Sequence, residues 1–393
     1  MNALNFRSFV LQLLFIAVST VVMAQPISPL GKSGSAYFHF VGTIGKIPVT
    51  MDLMQEPSRY FEQARGAYDF SGSYYYNRME SPLQLYGYLD ENNKLILTES
   101  ESSGLEYSGF FSGKVGEDGL FSGTWMSGDS SRTLKFVLKE TYPEGTLGFD
   151  VSIMLDSLKL KPELKGSPQA TFGQSWLLPR KTKDAAFDQF VERQLRNGMV
   201  GDSLGQLYRD VPALFKVLKD DFFARYREEV DLEAIEGDDV FSMAMWNYEE
   251  FTKAEVAYNQ NNLLTLGYLS YSYYGGAHGM YATGYVTYDL KKQKLFKLTD
   301  VFKPGYEEKI PVFLERALRR QFNLQSDQAL SEVLFEDSIG LTENFGLTGK
   351  GIFFNYVPYE IAAYAAGEIK LFVPFSEITD LLQPEFVKRL SSQ

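Results

Sequence analysis

The chain has 393 residues, of which 45% are apolar and 22% charged, so it can bury a sizeable core and has room for two or three domains. It contains no cysteine, which excludes disulfides, thiolate nucleophiles and cysteine-based zinc sites. A formal net charge of −12 makes nucleic acid and anionic lipid poor partners and would attract a cationic protein, although acidity also simply favours solubility.

The N-terminus has the pattern of a secretory signal. Arg7 precedes the apolar run FVLQLLFIAVSTVVMA at residues 9–24, and small residues precede a predicted cleavage between Ala24 and Gln25. The alternative is an uncleaved membrane anchor, but 16 apolar residues fall short of the roughly 20 that span a bilayer. We therefore expect residues 1–24 to be a signal peptide and the mature chain to be exported, periplasmic or secreted, and soluble, without a transmembrane segment.

Residues 25–140 predict an antiparallel β domain, either an open meander or a small barrel. Short aromatic and β-branched runs alternate with turn signals such as Glu117-Asp118-Gly119 at a spacing of about ten residues. Ser-Gly pairs recur beside aromatic residues, and we interpret them as bends in a curled sheet. The alternative is a sugar-stacking face built from four aromatic residues, Tyr74, Tyr75, Tyr76 and Trp125.

The rest of the chain predicts an α+β domain. Three prolines in residues 141–168 suggest a linker. Helical periodicity follows at 183–197, ending at Asn197-Gly198, and at 211–229, where Asp210 can cap the helix; a third helix is predicted at 306–322. Strands are expected at 241–259, 263–274, 280–290, 351–356 and 368–373. This block-wise order favours α+β, with an antiparallel sheet and flanking helices, over a doubly wound fold. We expect 169–262 and 263–393 to pack as one unit.

Recognisable catalytic motifs are missing from the sequence. It has no G-x-S-x-G, S-x-x-K or H-E-x-x-H, and its only histidines, His39 and His278, fall in different predicted domains. We therefore predict no cofactor, no metal site and no catalytic residue. Paired carboxylates that hydrolyse a cell-wall glycan stay an alternative, because their spacing is set in space and not along the chain.

The segment YSYYGGAHG at 271–279 predicts a hairpin. Apolar and aromatic residues alternate on both sides of Gly275-Gly276-Ala277-His278-Gly279, and three glycines in five residues allow the chain to reverse at little steric cost. His278 is then a loop-tip residue. As a functional residue, it would contact a ligand or respond to pH from a protruding hairpin.

Two C-terminal segments resemble a known family. They are YSYYGGAHGMYATGYVTYDLKKQKLFKLTDVF at 271–302 and FGLTGKGIFFNYVPYEIAAYAAGEIKLFVPFSEI at 345–378. Over about 263–385 the chain resembles the extracytoplasmic domain shared by the lysozyme-sensing anti-sigma factor RsiV and a peptidoglycan deacetylase. Residues 150–262 are more faintly similar to the segment that precedes this domain.

The resemblance implies an exported binding module. In the anti-sigma factor the domain grips lysozyme, whereas in the deacetylase the chemistry belongs to a separate domain that carries the metal ligands. Neither a sigma-binding segment nor a deacetylase domain is visible in this sequence, so lysozyme binding is an expectation inherited from one relative.

From these patterns we expect a non-enzymatic cell-envelope protein that binds a cationic protein such as lysozyme, or a cell-wall glycan. A purely structural envelope protein is a further alternative. A proline-bounded covering loop that begins at Val357 should carry Tyr359 and Tyr364 as anchors, with Glu360 bonded to backbone donors or exposed to the ligand. The predicted contact residues are Tyr274, Gly275, Gly276, Ala277, His278, Gly279, Tyr281, Tyr359, Glu360 and Tyr364.

Overall fold

A computed structural model describes residues 36–56, 69–100, 107–164, 166–230 and 245–391. The predicted signal peptide and its cleavage site at Ala24 and Gln25 lie outside the described residues. None of the helices in these ranges is long and apolar enough to cross a membrane.

The N-terminal β domain is a closed eight-stranded antiparallel barrel, which confirms the predicted small barrel over the open meander. The first and last strands pair to close it, with Phe40 opposite Glu140 and Ile44 opposite Phe136. The strands are β1 Ala36–Ile44, β2 Ile47–Gln55, β3 Phe70–Tyr76, β4 Leu83–Leu89, β5 Leu95–Ser100, β6 Tyr107–Val115, β7 Leu120–Ser127 and β8 Thr133–Glu140.

The side chains of Tyr74 and Trp125 lie in the barrel core, whereas Tyr75 packs outside the barrel against Tyr258 of the second domain. Tyr74 and Tyr75 are fully buried and Trp125 is 8% exposed. The Trp125 indole donates to the buried Glu99 carboxylate at 3.0 Å, and Tyr74 donates to the same group. Tyr76 is half-buried, and its hydroxyl is 3.4 Å from the Tyr74 hydroxyl. Because three of the four rings are buried, the alternative of an exposed glycan face on these residues is wrong.

The second domain is built on a six-stranded sheet in the order β14-β13-β12-β11-β10-β9. Neighbouring strands are antiparallel except β10 and β11, which run parallel. The sheet is therefore mixed, and the prediction of an antiparallel sheet is wrong for this pair. The long crossover that a parallel pair needs runs between them, and its described residues contain two helices. The strands are β9 Phe149–Lys159, β10 Gln169–Pro179, β11 Tyr248–Gln260, β12 Leu263–Tyr274, β13 Met280–Asp289 and β14 Lys294–Leu295. The predicted linker at 141–168 contains strand β9, so only its two ends are irregular.

A three-stranded antiparallel sheet and three helices complete the C-terminal part of the chain. Its strands are β15 Phe345–Leu347, β16 Gly351–Tyr356 and β17 Ile369–Pro374, and the four 3-10 helices span Leu330–Glu332, Tyr364–Ala366, Phe375–Glu377 and Thr379–Leu381. The α-helices within the described residues are α1 Ala185–Leu207, α2 Val211–Glu229, α3 Leu298–Val301, α4 Ile310–Gln321 and α5 Pro384–Ser391.

Helix α1 departs from its predicted end at Asn197-Gly198. The helix continues to Leu207 and kinks at Gly201, whose φ of +79° is not helical. A β-carbon on Gly198 would lie 2.2 Å from the Tyr268 ring, so this glycine allows helix and sheet to approach closely. The second helix keeps its predicted bounds, and the Asp210 side chain accepts from the amide of Ala213 at 2.8 Å.

The barrel packs on the six-stranded sheet through a largely buried polar interface. Lys253 of β11 pairs with Glu56 from the end of the barrel's second strand, and the rings of Tyr75 and Tyr258 stack at 5.3 Å. His39 is buried on the outer face of barrel strand β1, opposite to the face that carries Phe38 and Phe40, and its Nδ1 is 2.7 Å from Asp52 Oδ1. His39 therefore belongs to the barrel and His278 to the second domain, so the two histidines lie in different domains, as predicted.

Candidate functional site: an aromatic cluster at the Gly-Gly hairpin

The hairpin has the geometry that its glycines predict. Strands β12 and β13 pair as far as Ser272 opposite Met280, and the connection between them contains Gly275 at φ +85° and Gly276 at φ +103°. Residues with a β-carbon rarely adopt such angles, so the chain reverses here because these two positions are glycine.

His278 is exposed at the tip of this hairpin and contacts aromatic rings. Its imidazole stacks on the Tyr364 ring at a centroid distance of 4.1 Å and an interplanar angle of 25°. Its Nε2 is 3.4 Å from the Tyr359 hydroxyl, and its Nδ1 is 2.9 Å from the Gly279 carbonyl oxygen. Within the described ranges, no acidic side chain pairs with this imidazole.

The loop from Val357 onward meets the hairpin at the same place. The Tyr364 hydroxyl donates to the Gly279 carbonyl at 2.8 Å, so Tyr364 is an anchor as predicted. Tyr359, by contrast, is 49% exposed and has a left-handed φ of +70°. Glu360 is exposed and accepts from the Val357 amide at 2.9 Å, so it bonds a backbone donor of its own loop and both of its predicted roles stay open.

Four side chains form one group, which we call the aromatic cluster: His278, Tyr281, Tyr359 and Tyr364. Tyr281 meets Tyr364 edge-on at 5.9 Å and 78°, and the rings of Tyr359 and Tyr364 are 5.6 Å apart. Such tilted and offset arrangements favour aromatic contacts. The structure thus brings together residues of two segments that the sequence singled out separately.

Tyr274 does not join this cluster. It lies one position after Tyr273 and therefore projects from the opposite face of β12. There its hydroxyl donates to the Glu250 carboxylate at 3.0 Å, and its ring centroid is 5.3 Å from that of Tyr248. Ala277 and Gly276 are exposed in the connection, and Gly276 accepts from the Tyr273 hydroxyl at 3.0 Å.

Tyr271 lies beneath the hairpin and supports it. A β-carbon on Gly279 would lie 2.5 Å from the Tyr271 ring, so the loop can rest on this ring only because residue 279 is glycine. Burial, followed by the nearby Glu249 charge, raises the pKa of Tyr271 to about 12, so the hydroxyl stays neutral at physiological pH.

Glu249 was not predicted as a site residue. It lies on β11 directly opposite Tyr273, is 9% exposed, and burial raises the pKa of its carboxyl. Its Oε2 has no hydrogen-bond partner among the described residues. Strand alternation puts Glu249 on one face with Phe251 and Lys253. Two adjacent glutamates, Glu249 and Glu250, point to opposite faces of the strand, and the sequence does not mark which of them is buried.

Side chains from the C-terminal sheet hold the edge of β13 in place near the cluster. The Thr283 amide donates to Glu368 at 2.5 Å and the Tyr285 amide to Asn344 at 2.8 Å. Asn344 and Asn355 donate to the Thr283 carbonyl at 2.8 and 3.0 Å. These bonds satisfy edge groups that a sheet would otherwise leave open, and they fix the hairpin relative to the loop that carries Tyr359.

Two open clefts adjoin the same strand farther from the hairpin. Their volumes are about 370 and 430 Å³, and both are lined by Tyr285, Val286 and Glu343. No group of three or more His, Asp or Glu side chains suited to a metal ion is found in the described part of the chain. The aromatic cluster is therefore the feature that combines the predicted residues with solvent exposure.

Comparison with known proteins shows which families these segments resemble. Residues 182–281 match the family model described as Deacetylase PdaC, and residues 299–376 match DUF3298, a protein family of unknown function. The hairpin residue His278 falls in the first match and Tyr364 in the second, so the aromatic cluster joins the two.

Among curated proteins, the peptidoglycan-N-acetylmuramic acid deacetylase PdaC of Bacillus subtilis strain 168 is 27% identical over 128 residues. The match covers 31% of this chain and 27% of the deacetylase, so the chain spans about a quarter of that relative.

Two solved DUF3298 structures are similar to this chain. The Bacteroides fragilis NCTC 9343 protein has a TM-score of 0.56 at 24% identity and covers 63% of this chain and 99% of its own. The Pseudomonas aeruginosa PAO1 protein has a TM-score of 0.42 at 17% identity, covering 62% and 96%. The predicted link to RsiV stays a prediction. The comparisons support a family link through two neighbouring segments, one similar to the deacetylase PdaC model and one to DUF3298, and the Bacteroides structure shares the fold.

Proposed function

We propose that the chain is an exported, non-catalytic binding protein of the cell envelope. Its ligand, a protein or a glycan, would bind the aromatic cluster. The observation that carries this proposal is the stack of His278 on Tyr364, which joins two distant segments into one surface.

Exposure of the cluster supports a binding role. Tyr359 is 49% exposed, and Met280, at the start of strand β13 beside the hairpin, is 41% exposed. Side chains of both types are also found in protein cores. Contiguous exposed aromatic surface often marks an interaction site, and tyrosine is enriched among the residues that dominate binding energy. Tyrosine rings also offer flat apolar faces with a polar edge, which suits either a protein or a sugar.

The cell-envelope assignment rests on the relative and on the predicted signal. The similar segment of PdaC belongs to a protein named for its action on peptidoglycan. Only about a quarter of that protein is matched, so its activity is not carried over, and the binding role is argued from the cluster alone.

Binding assays on purified residues 25–393 test the proposal. We expect lysozyme or soluble peptidoglycan fragments to bind, and the double variant H278A/Y359A to bind at least about tenfold more weakly, because hot-spot losses reach 2 kcal/mol or more. V312A is the matched control, since Val312 is 50% exposed on helix α4, away from the hairpin.

Three results would count against this function. Absence of binding to both ligand classes would contradict it, as would equal losses in the control and the double variant. Turnover of the glycan would favour the carboxylate hydrolase instead.

A further inference from the structure

Glu249 is the buried member of a row of side chains that crosses four strands of the sheet. The pairing registers align Ser157 of β9, Thr171 of β10, Glu249 of β11 and Tyr273 of β12. Ser157 is exposed, Thr171 is half-buried and Glu249 is buried. The side chains of the row therefore change from exposed at the β9 edge to buried at the Glu249 carboxylate.

The neighbouring charge on the same face has partners, whereas Glu249 has none among the described residues. Lys253, two side-chain positions farther along β11, pairs with Glu56 and also donates to Ser71. The carboxylate of Glu56, from the barrel, thus neutralises the charge of Lys253 on the sheet. No described side chain does the same for Glu249, whose Oε2 is buried without a hydrogen bond.

A buried carboxylate without a partner is unfavourable, and a bound cation would relieve that cost. The half-buried Tyr273, directly opposite Glu249, offers a surface along which an apolar stem can lie, and Leu155, on the same face of β9, is 46% exposed. Lysine and arginine have this combination of an apolar stem and a charged head. A metal ion would require several oxygen ligands, and the row offers one carboxylate.

We propose that Glu249 is the anionic anchor of the binding face and takes the ammonium or guanidinium group of a lysine or arginine side chain from a basic protein partner. This inference deepens the proposed function and rests on it for the location of the ligand. The formal charge of −12 favours such a partner through long-range attraction, and the anchor supplies a specific point of contact.

Isothermal titration calorimetry measures the affinity of hexalysine and hexaarginine for residues 25–393 and for the variants E249Q and E250Q. E249Q should weaken binding of at least one of these peptides roughly tenfold or more, because it removes the charge that faces the ligand. E250Q removes the same charge one residue away on the opposite face, where Glu250 pairs with Arg225, and should change affinity less than about twofold. The control separates a specific anchor from general attraction to an acidic protein.

A thermal melt separates an anchor from a structural role, because an anchor variant should unfold at the same or a higher temperature than the parent. Equal peptide affinities for E249Q and the parent would overturn the proposal, as would equal losses in both variants or a large drop in melting temperature for E249Q. Glu249-dependent binding of a glucosamine oligomer with no peptide binding would overturn the choice of a protein partner.

The anchor and the proposed function can fail separately. If H278A/Y359A binds lysozyme and peptidoglycan as the parent does, while E249Q loses the basic peptides, the aromatic cluster fails and the anchor stands. If E249Q keeps full affinity for every basic ligand while H278A/Y359A loses the envelope ligand, the anchor fails and the cluster stands.

Discussion

The imidazole of His278 stacks on the ring of Tyr364, with centroids 4.1 Å apart and planes inclined by 25°. The same tyrosine donates its hydroxyl to the Gly279 carbonyl, the residue after the histidine. One side chain therefore holds the hairpin tip by a ring face and by a hydrogen bond. This double contact fixes the exposed surface on which the proposed function depends.

Replacing Tyr364 separates these two contacts. Y364F should cost about 1 kcal/mol because it removes the hydroxyl that bonds Gly279. Y364A should cost roughly 1 kcal/mol more because it also removes the stacking. Urea denaturation gives both values, and hydrogen exchange of residues 275–279 should accelerate more in Y364A. Equal stability of the two variants would show that the ring contact contributes nothing.

Gly279 is expected to be intolerant of alanine. G279A would place a methyl group 2.5 Å from the Tyr271 ring, and overpacking of this kind typically costs about 1–3 kcal/mol. Gly284 is the control, because a β-carbon there meets no atom within 4 Å. Thermal unfolding should show a loss for G279A and little change for G284A. An unperturbed G279A would mean that the loop does not rest on Tyr271.

The buried ion pair between barrel and sheet should be sensitive to removal of one partner. Lys253 and Glu56 are 5% and 7% exposed, so K253M leaves a buried carboxylate without its cation and should cost about 3–5 kcal/mol. K219M breaks the pair with Asp156, whose side chain is 46% exposed, and should cost at most about 1 kcal/mol. Denaturation midpoints distinguish these costs, and similar losses in both variants would contradict the contrast.

The Glu249 carboxyl should make stability depend on pH. Burial raises its pKa above the ordinary value of 4.5, so the folded chain binds this proton more tightly than the unfolded chain does. Its ionisation therefore destabilises the fold as pH rises from 4.5 through the raised pKa. Tyr271, with a pKa of about 12, stays neutral throughout this range.

E249Q removes that pH dependence. Its stability relative to the parent should increase from about pH 4 to pH 7.5. Urea denaturation at both pH values provides the measurement. A relative stability of E249Q that is constant or decreases over this range would show that the Glu249 proton is not bound more tightly in the folded state.

Local sequence patterns predicted the hairpin and the second helix well. Gly275 and Gly276 adopt the positive φ angles that the turn requires, and Asp210 caps the helix that begins at Val211. These features depend on a few neighbouring residues, so the sequence nearby contains the information. The strand spacing of the N-terminal domain likewise predicted a β-meander or barrel.

Tertiary contacts decided the features that the patterns missed. Gly198 looked like a helix end, but it serves close packing against Tyr268, and the helix kinks at Gly201 instead. Glu249 was not predicted to be buried, because nothing in the sequence distinguishes it from its neighbour Glu250. The stack of His278 on Tyr364 depends on where two distant segments meet, which periodicity does not encode.

The most direct measurement of the central claim is the hydrogen-exchange footprint of an envelope ligand, lysozyme or soluble peptidoglycan fragments, on residues 25–393. The proposed function predicts slower exchange in both 273–281 and 357–366 on saturation, and unchanged exchange in barrel strand β6 at Tyr107–Val115. Slower exchange in the barrel or in helices α1 and α2, with both segments unchanged, would contradict it.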